Sequence, residues 1–375
     1  MAETYDLLIR AGRLVCPASG LDGPGAVGVR GDRIVASGSD VDGSAASEVE
    51  VGEDSVVLPG LVDIHAHPAV EGSKYGVDPD EEFLPRGVTT VMSQGDAGAT
   101  NWDRYCETTV ARSRTRICMA INLSSRGESM SGPCFGDMND VDVEACVATI
   151  KRGGDAIWGI AVNVARPTAG DSDPKEILRR GLEAAERTNR PILFGLREAE
   201  DWPHEEQLAL LRPGDIVTYS LRPQPFGIVQ EGRVHPAVWE AQKRGVIFDA
   251  AHGMASLDFV TAEAALAEGF VPNTISTDSY MRHVGADPPL SLPLMISKLR
   301  AVGMSEADIF PRVTSRPAAV LGLEGEVGTL APGACADITV LLWHPDGPAL
   351  VDVSGAERSG GRWEATLVVR RGETV

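Results

Sequence analysis

The chain has 375 residues, 43% of them apolar, and 34 Lys and Arg against 54 Asp and Glu give it a formal charge of −20. So much apolar material supports a large packed core and excludes a disordered chain, while the lack of any basic block argues against nucleic acid and anionic membranes as partners. No apolar run nears the ~20 residues that span a bilayer, and MAETYDLLIR lacks the parts of a signal peptide, so a cytoplasmic address is expected.

The first 58 residues contain short alternating or β-branched runs, DLLIRAGRLV, AVGVRGDRIVASG and SVVLPG, broken by Gly and Asp as hairpin strands are. The last ~50 residues share that texture in ADITVLLW, ALVDVSG and WEATLVVRRGE. Chain ends usually lie close together, so residues 1–58 and 322–375 are expected to form one small β-sandwich. Between them, over 59–321, buried-strand runs begin near Leu61, Val88, Ile117, Trp158, Pro191, Asp215, Val246 and Thr274. Helical spacing separates several of these runs, in DVEACVATIKRG, PKEILRRGLEAAERTN, HPAVWEAQKRG and DFVTAEAALAEG. Eight such units predict an α/β fold of the (β/α)8 TIM-barrel type, with chemistry at the C-terminal strand ends. A doubly wound sheet is the alternative, though no Gly-rich nucleotide fingerprint follows the first strand. The six cysteines show no CxxC pair and read as reduced thiols, mostly in the core.

In the first of these strands, VVLPGLVDIHAHPAV, alternation projects His65 and His67 to one side, where two imidazoles can grip one metal ion. Asp63 shares their parity but lies deeper. In TISTDS, Asp278 ends the eighth strand as a metal ligand or general base, or else as a helix cap. His252, in FDAAHGMAS, reads as an acid/base, a substrate contact or a structural histidine.

PGLVDIHAH, TISTD, RPAAVLGL and GTLAPGACADITVL, in that order, resemble the amidohydrolase superfamily, and within it the dihydroorotase- and hydantoinase-like metal-dependent hydrolases. The resemblance covers essentially the whole chain and implies a distorted (β/α)8 barrel with a small β-sandwich made by both ends. It also implies a binuclear site built from the HxH pair, a carboxylated Lys on strand four, a His on each of strands five and six, and an Asp on strand eight. His65, His67 and Asp278 match that pattern. Ala161 stands where the Lys would be, with Asn163 one step along the same face, Gly195 replaces the first later His and Tyr219 the second. The expectation is therefore at most one divalent metal, Zn²⁺ or similar, on His65, His67 and Asp278, with Asp278 and His252 as catalytic groups. Arg197, two past Gly195, is placed to fork onto a substrate carboxylate or to pair with Glu198 or Glu200, and Tyr219 and Asn163 are expected substrate contacts.

The long segment SSRGESMSGPCFGDMND and the Pro-containing loops TYSLRPQPFG and MRHVGADPPLS read as loops over the barrel mouth, the last offering His283 as a weaker site candidate. These features suggest a hydrolase of a small amide, cyclic amide or ester, acting on a small molecule and compatible with a homo-oligomer. The alternative is a metal-independent cyclase, lyase or isomerase using His and Tyr acid/base chemistry. A non-catalytic binding protein leaves the three retained ligands unexplained.

Overall fold

The computed structural model describes residues 4–129 and 131–375; Met130, within the segment after the third barrel strand, lies outside them. The N-terminal run forms β1 (Thr4–Cys16), β2 (Leu21–Arg30), β3 (Arg33–Gly38), β4 (Ser44–Val51) and β5 (Ser55–Pro59). The barrel strands β6 (Leu61–Ala66), β7 (Val88–Ser93), β8 (Arg116–Asn122), β9 (Ile157–Asn163), β10 (Ile192–Gly195) and β11 (Ile216–Thr218) follow. A two-stranded hairpin of β12 (Val229–Gln230) and β13 (Arg233–Val234) precedes β14 (Ile247–Ala250) and β15 (Thr274–Ile275). The C-terminal part adds β16 (Ile338–His344), a hairpin of β17 (Leu350–Val351) and β18 (Glu357–Arg358), then β19 (Arg362–Arg370) and β20 (Glu373–Thr374).

Both chain ends join one eight-stranded sheet in the order β20-β19-β16-β5-β1-β2-β3, with β4 paired to β1. The expected union of the two ends is thus present as a single hydrogen-bonded network. Its join is β5 against β16, where Pro59 pairs with Ile338. Edge strand β4, SAASEVEV, has too little apolar content to be read from sequence, and its residues are mostly exposed.

The second eight-stranded sheet runs β15-β14-β11-β10-β9-β8-β7-β6, and all its neighbours are parallel. Its strands are rich in Val, Ile and Leu because both faces are covered. The expected helices appear as Val143–Gly153, Pro174–Thr188, Pro236–Lys243 and Phe259–Ala267.

The gap between β15 and β6 is bridged largely by side chains. The Asp63 carboxylate, fully buried, accepts from the Thr277 hydroxyl at 2.6 Å and from the backbone N–H groups of Thr277 and His65 at 3.2 and 3.1 Å. Backbone bonds from Asp278 N–H to His65 O (2.7 Å) and from His67 N–H to Ser279 O (3.0 Å) continue the seam. Closing the barrel is what carries Asp278 to the two histidines.

Candidate active site

His65 and His67 leave β6 on the same face and are 0% and 2% exposed; Asp278, just past β15, is 6% exposed. Asp278 Oδ1 lies 3.5 Å from His65 Nε2 and 3.4 Å from His67 Nε2. Ligands sharing one tetrahedral ion with bonds of about 2.1 Å sit about 3.4 Å apart, so these separations suit a common ion. Oδ1 is buried and has no hydrogen-bond partner among the described residues.

Each imidazole is turned by a carboxylate behind it. His67 Nδ1 meets Asp96 Oδ1 at 2.9 Å, and Asp96 also accepts from Ser73 Oγ and Ser93 Oγ, both at 2.5 Å. His65 Nδ1 meets Thr218 Oγ1 at 2.6 Å, and that hydroxyl donates to Asp249 Oδ2 at 3.0 Å. A carboxylate only accepts, so both Nδ1 atoms are donors and both Nε2 lone pairs face the centre. Gln94 Nε2 donates to His67 Nε2 at 3.1 Å.

Tyr219, just after β11, sends its hydroxyl between His65 Nε2 and Asp278 Oδ2, 3.1 Å from each. Its single proton cannot satisfy both acceptors, so one of them is left without a donor. Electrostatics agree. Burial opposes an imidazolium at His67, yet Asp96 and Asp278 outweigh it and raise the pKa to about 10, so the inward Nε2 lone pair is a place for which a proton and a metal ion compete. Burial alone would raise Asp278, but His65 and His67 hold it below the usual carboxylate value, and Tyr219, first through burial and then beside Asp278, is pushed well up and stays a phenol. Among the described residues no three His, Cys, Asp or Glu side chains form a ready-made metal cage. The donors around Oδ1 nevertheless suit one cation.

Two positions where the resemblance expects further ligands carry none. Gly195 pairs with Asn163 across β10 and β9, and a Cβ on Gly195 would lie 2.3 Å from Asn163 Oδ1. Ala161 lies beside Asn122, which pairs with it, and beside Gly95, whose added Cβ would be 3.1 Å from the Ala161 Cβ. Where two further ligands would stand, the space is filled by Asn163 and small residues.

Tyr219 and Asp278 hold left-handed backbone, with φ of 60° and 49°. Such conformations concentrate at functional sites. Gly253 (φ +50°) makes room behind Asp278, since a Cβ there would come within 2.3 Å of Asp278 Oδ2. Asp278 caps no helix; its Oδ2 serves Tyr219.

His252 is close by but engaged on both sides, Nδ1 donating to Gly253 O at 2.6 Å and Nε2 accepting from Lys298 Nζ at 2.6 Å. Burial and the Lys298 charge bring its pKa down to about 3. Lys298, 6% exposed on the helix Leu292–Ala301, is itself brought down to about 8 by burial. Arg197 is drawn to Asp201 (2.7 Å) and Glu198 (3.6 Å), an ion pair within its own loop. Asn163 Oδ1 accepts from Ala165 N–H and supports the β9 end. His283 packs edge-on to Tyr280, 4.5 Å between centroids, and Tyr280 and Tyr75 flank His67 at 5.7 and 5.1 Å. In the segment after β8, Glu128 is buried and pairs with Lys74 at 2.9 Å, so that stretch packs over the β7 end. Two well-formed crevices, of about 370 and 610 Å³, touch none of these residues.

Sequence reading missed Asp96 and Asp249. Both stand at the C-terminal end of a barrel strand, the rule that singled out Asp278.

Across 359 residues, 94% of each chain, the sequence is 30% identical to a deacetylase of Enterococcus faecalis. The chain belongs to the amidohydrolase superfamily. Among solved structures, an adenine deaminase superposes with a TM-score of 0.90 at 27% identity over 99% of each chain, and a dihydroorotase with 0.87 at 27% over 98% of each. No protein-family profile matches. This amidohydrolase is a hydrolase on a TIM-barrel scaffold, and among its described residues no helix is long and apolar enough to cross a membrane.

Proposed function

We propose that this amidohydrolase cleaves the acyl C–N bond of a small non-peptide amide, using one divalent metal, Zn²⁺ by its donor set, held by His65, His67 and Asp278. The observation that carries the reading is the meeting of two inward Nε2 lone pairs with the unpartnered Asp278 Oδ1, at a centre with one hydrogen-bond donor too few. Such an ion, when bound, polarises a carbonyl and acidifies water.

The residues supply the rest. Asp278 takes the proton of the attacking water as the new C–O bond forms, then passes it to the leaving nitrogen as the C–N bond breaks. Tyr219, kept protonated, donates to the oxygen that becomes negative in the tetrahedral state. Asp96 and Asp249 keep both histidines in the metal-binding tautomer. His252, with both nitrogens engaged, supports Gly253 and so the flank of Asp278. The names of the deacetylase relatives support an acyl amide as substrate.

A second reading rests on the Tyr219 hydroxyl lying between His65 and Asp278: an imidazolium at His67 supplies the cation beside Asp278, and Tyr219 and His65 exchange protons without metal. Elemental analysis of purified protein decides. About one equivalent of metal, lost together with acylamide hydrolysis in His65→Asn, upholds the first reading. Metal-free protein with full activity refutes it.

A further inference from the structure

We propose that Arg222 is the anion-recognising residue of this site and that the substrate carries a carboxylate beside its scissile amide, as an N-acylated amino acid does. The inference rests on the acyl-amide reading above and adds a substrate class to it.

Arg222 follows β11 and lays its guanidinium over the Tyr219 ring, 4.6 Å from the centroid. The hydroxyl at the far end of that ring touches His65 and Asp278. One aromatic ring therefore separates the cation from the reacting centre. Its loop is fixed in place: Asp258 N–H bonds to Leu221 O at 3.0 Å, Ile228 N–H to Ser220 O at 3.2 Å, and Gly227 approaches so closely that a Cβ there would lie 2.7 Å from Arg222 O.

The guanidinium is under-used. Its one side-chain hydrogen bond runs from Nε to Ser256 Oγ at 3.3 Å, and among the described residues no carboxylate lies within 4 Å of it. Four of its five N–H donors, including the fork that fits a carboxylate, are left over. Burial pulls its pKa below the usual arginine value, outweighing the more distant charges of Glu198 and Asp278. Three neighbouring cations are engaged, Arg197 by Asp201, Lys74 by Glu128 and Lys298 by His252, and Arg282 lies exposed to solvent. In a chain with 54 acidic residues, a partly buried arginine with no carboxylate in contact marks a place for an anion from outside.

The test compares N-acetylalanine with N-acetylalaninamide on the metal-loaded full-length enzyme. We expect wild type to favour the carboxylate by about 100-fold in kcat/KM, in keeping with one charge-assisted bidentate contact. Arg222→Gln should bring that ratio near one, chiefly through KM; Arg222→Lys, which keeps charge and loses the fork, should fall between. Arg197→Gln should leave the ratio unchanged. A wild-type ratio near one, or an equal loss on both substrates in Arg222→Gln and Arg222→Lys, overturns the proposal. If neither compound is hydrolysed, the acyl-amide reading fails by itself, and calorimetry still decides on Arg222. N-acetylalanine binding that needs the carboxylate and is lost in Arg222→Gln upholds the assignment; equal binding by both proteins, or none, overturns it.

Discussion

Gly253→Ala is a small change aimed at the centre of the site. The new methyl would start 2.3 Å from Asp278 Oδ2 and 3.3 Å from its Cγ, against ordinary contacts of about 3.5 Å, so the carboxylate must retreat by about 1 Å. The residue must also hold φ +50°, which costs a non-glycine residue about 1–2 kcal/mol. Retreat breaks the 3.1 Å bond from Tyr219, a contact with a charged acceptor worth about 1.5–3 kcal/mol. A terminal carboxylate can swing without disturbing the backbone, so the protein should stay folded and melt only a few degrees lower. Activity should suffer far more, because misplacing a reacting group by about 1 Å costs about 10²-fold. Circular dichroism melts, elemental analysis and kcat/KM on an amide cleaved by wild type give the three readouts. A variant retaining more than half of the wild-type kcat/KM and its full metal content would refute both the close approach and the role given to Asp278.

Asp249→Asn removes the charge behind Thr218 and His65 and turns one of the two oxygens that accept from Thr218, Thr274 and Ser276 into a donor; metal affinity measured by competition with a chromophoric chelator should fall by about 10–100-fold. Lys298→Met tests the buried amine. Its pKa, lowered from 10.5 to about 8, means that between those values the unfolded chain binds more protons than the folded one, so wild-type stability should rise with pH there. At pH 7 the shift costs about 3 kcal/mol, less the bond to His252, so Lys298→Met should be more stable than wild type at pH 7. That advantage should shrink as denaturation is repeated up to pH 10.5. A constant difference across the range would disprove the assignment.

The fold was written plainly in the sequence. Barrel strands begin at Leu61, Val88 and Thr274 as expected and within one residue of expectation elsewhere, because strands buried on both faces are continuous apolar runs bounded by turns. The HxH pair and Asp278 were legible too, through parity and strand ends. The connections between distant strands were not. Nothing in VVLPGLVDIHAH announces that Asp63 will clasp Thr277, or that Thr218 will carry an Asp249 carboxylate to His65. Arg197 and Arg222 both follow barrel strands, and sequence alone left open whether Arg197 faces a substrate or pairs with a neighbouring acid. Only the fold shows that the Arg197 loop brings its own Asp201 while the Arg222 loop brings no acid.

The join of β5 to β16 sets the order in which the molecule can be completed. β5 leads through Gly60, whose N–H bonds to Asp337 O, straight into the strand carrying both histidines. The β16 strand that steadies this entrance leaves the ribosome after His65, His67, Tyr219 and Asp278. His65 and His67 are thus anchored by residues about 270 positions further along the chain, contacts of high sequence separation that form slowly. A chain ending before Ile338 would possess every chemical group of the site and still lack the support beneath its first strand.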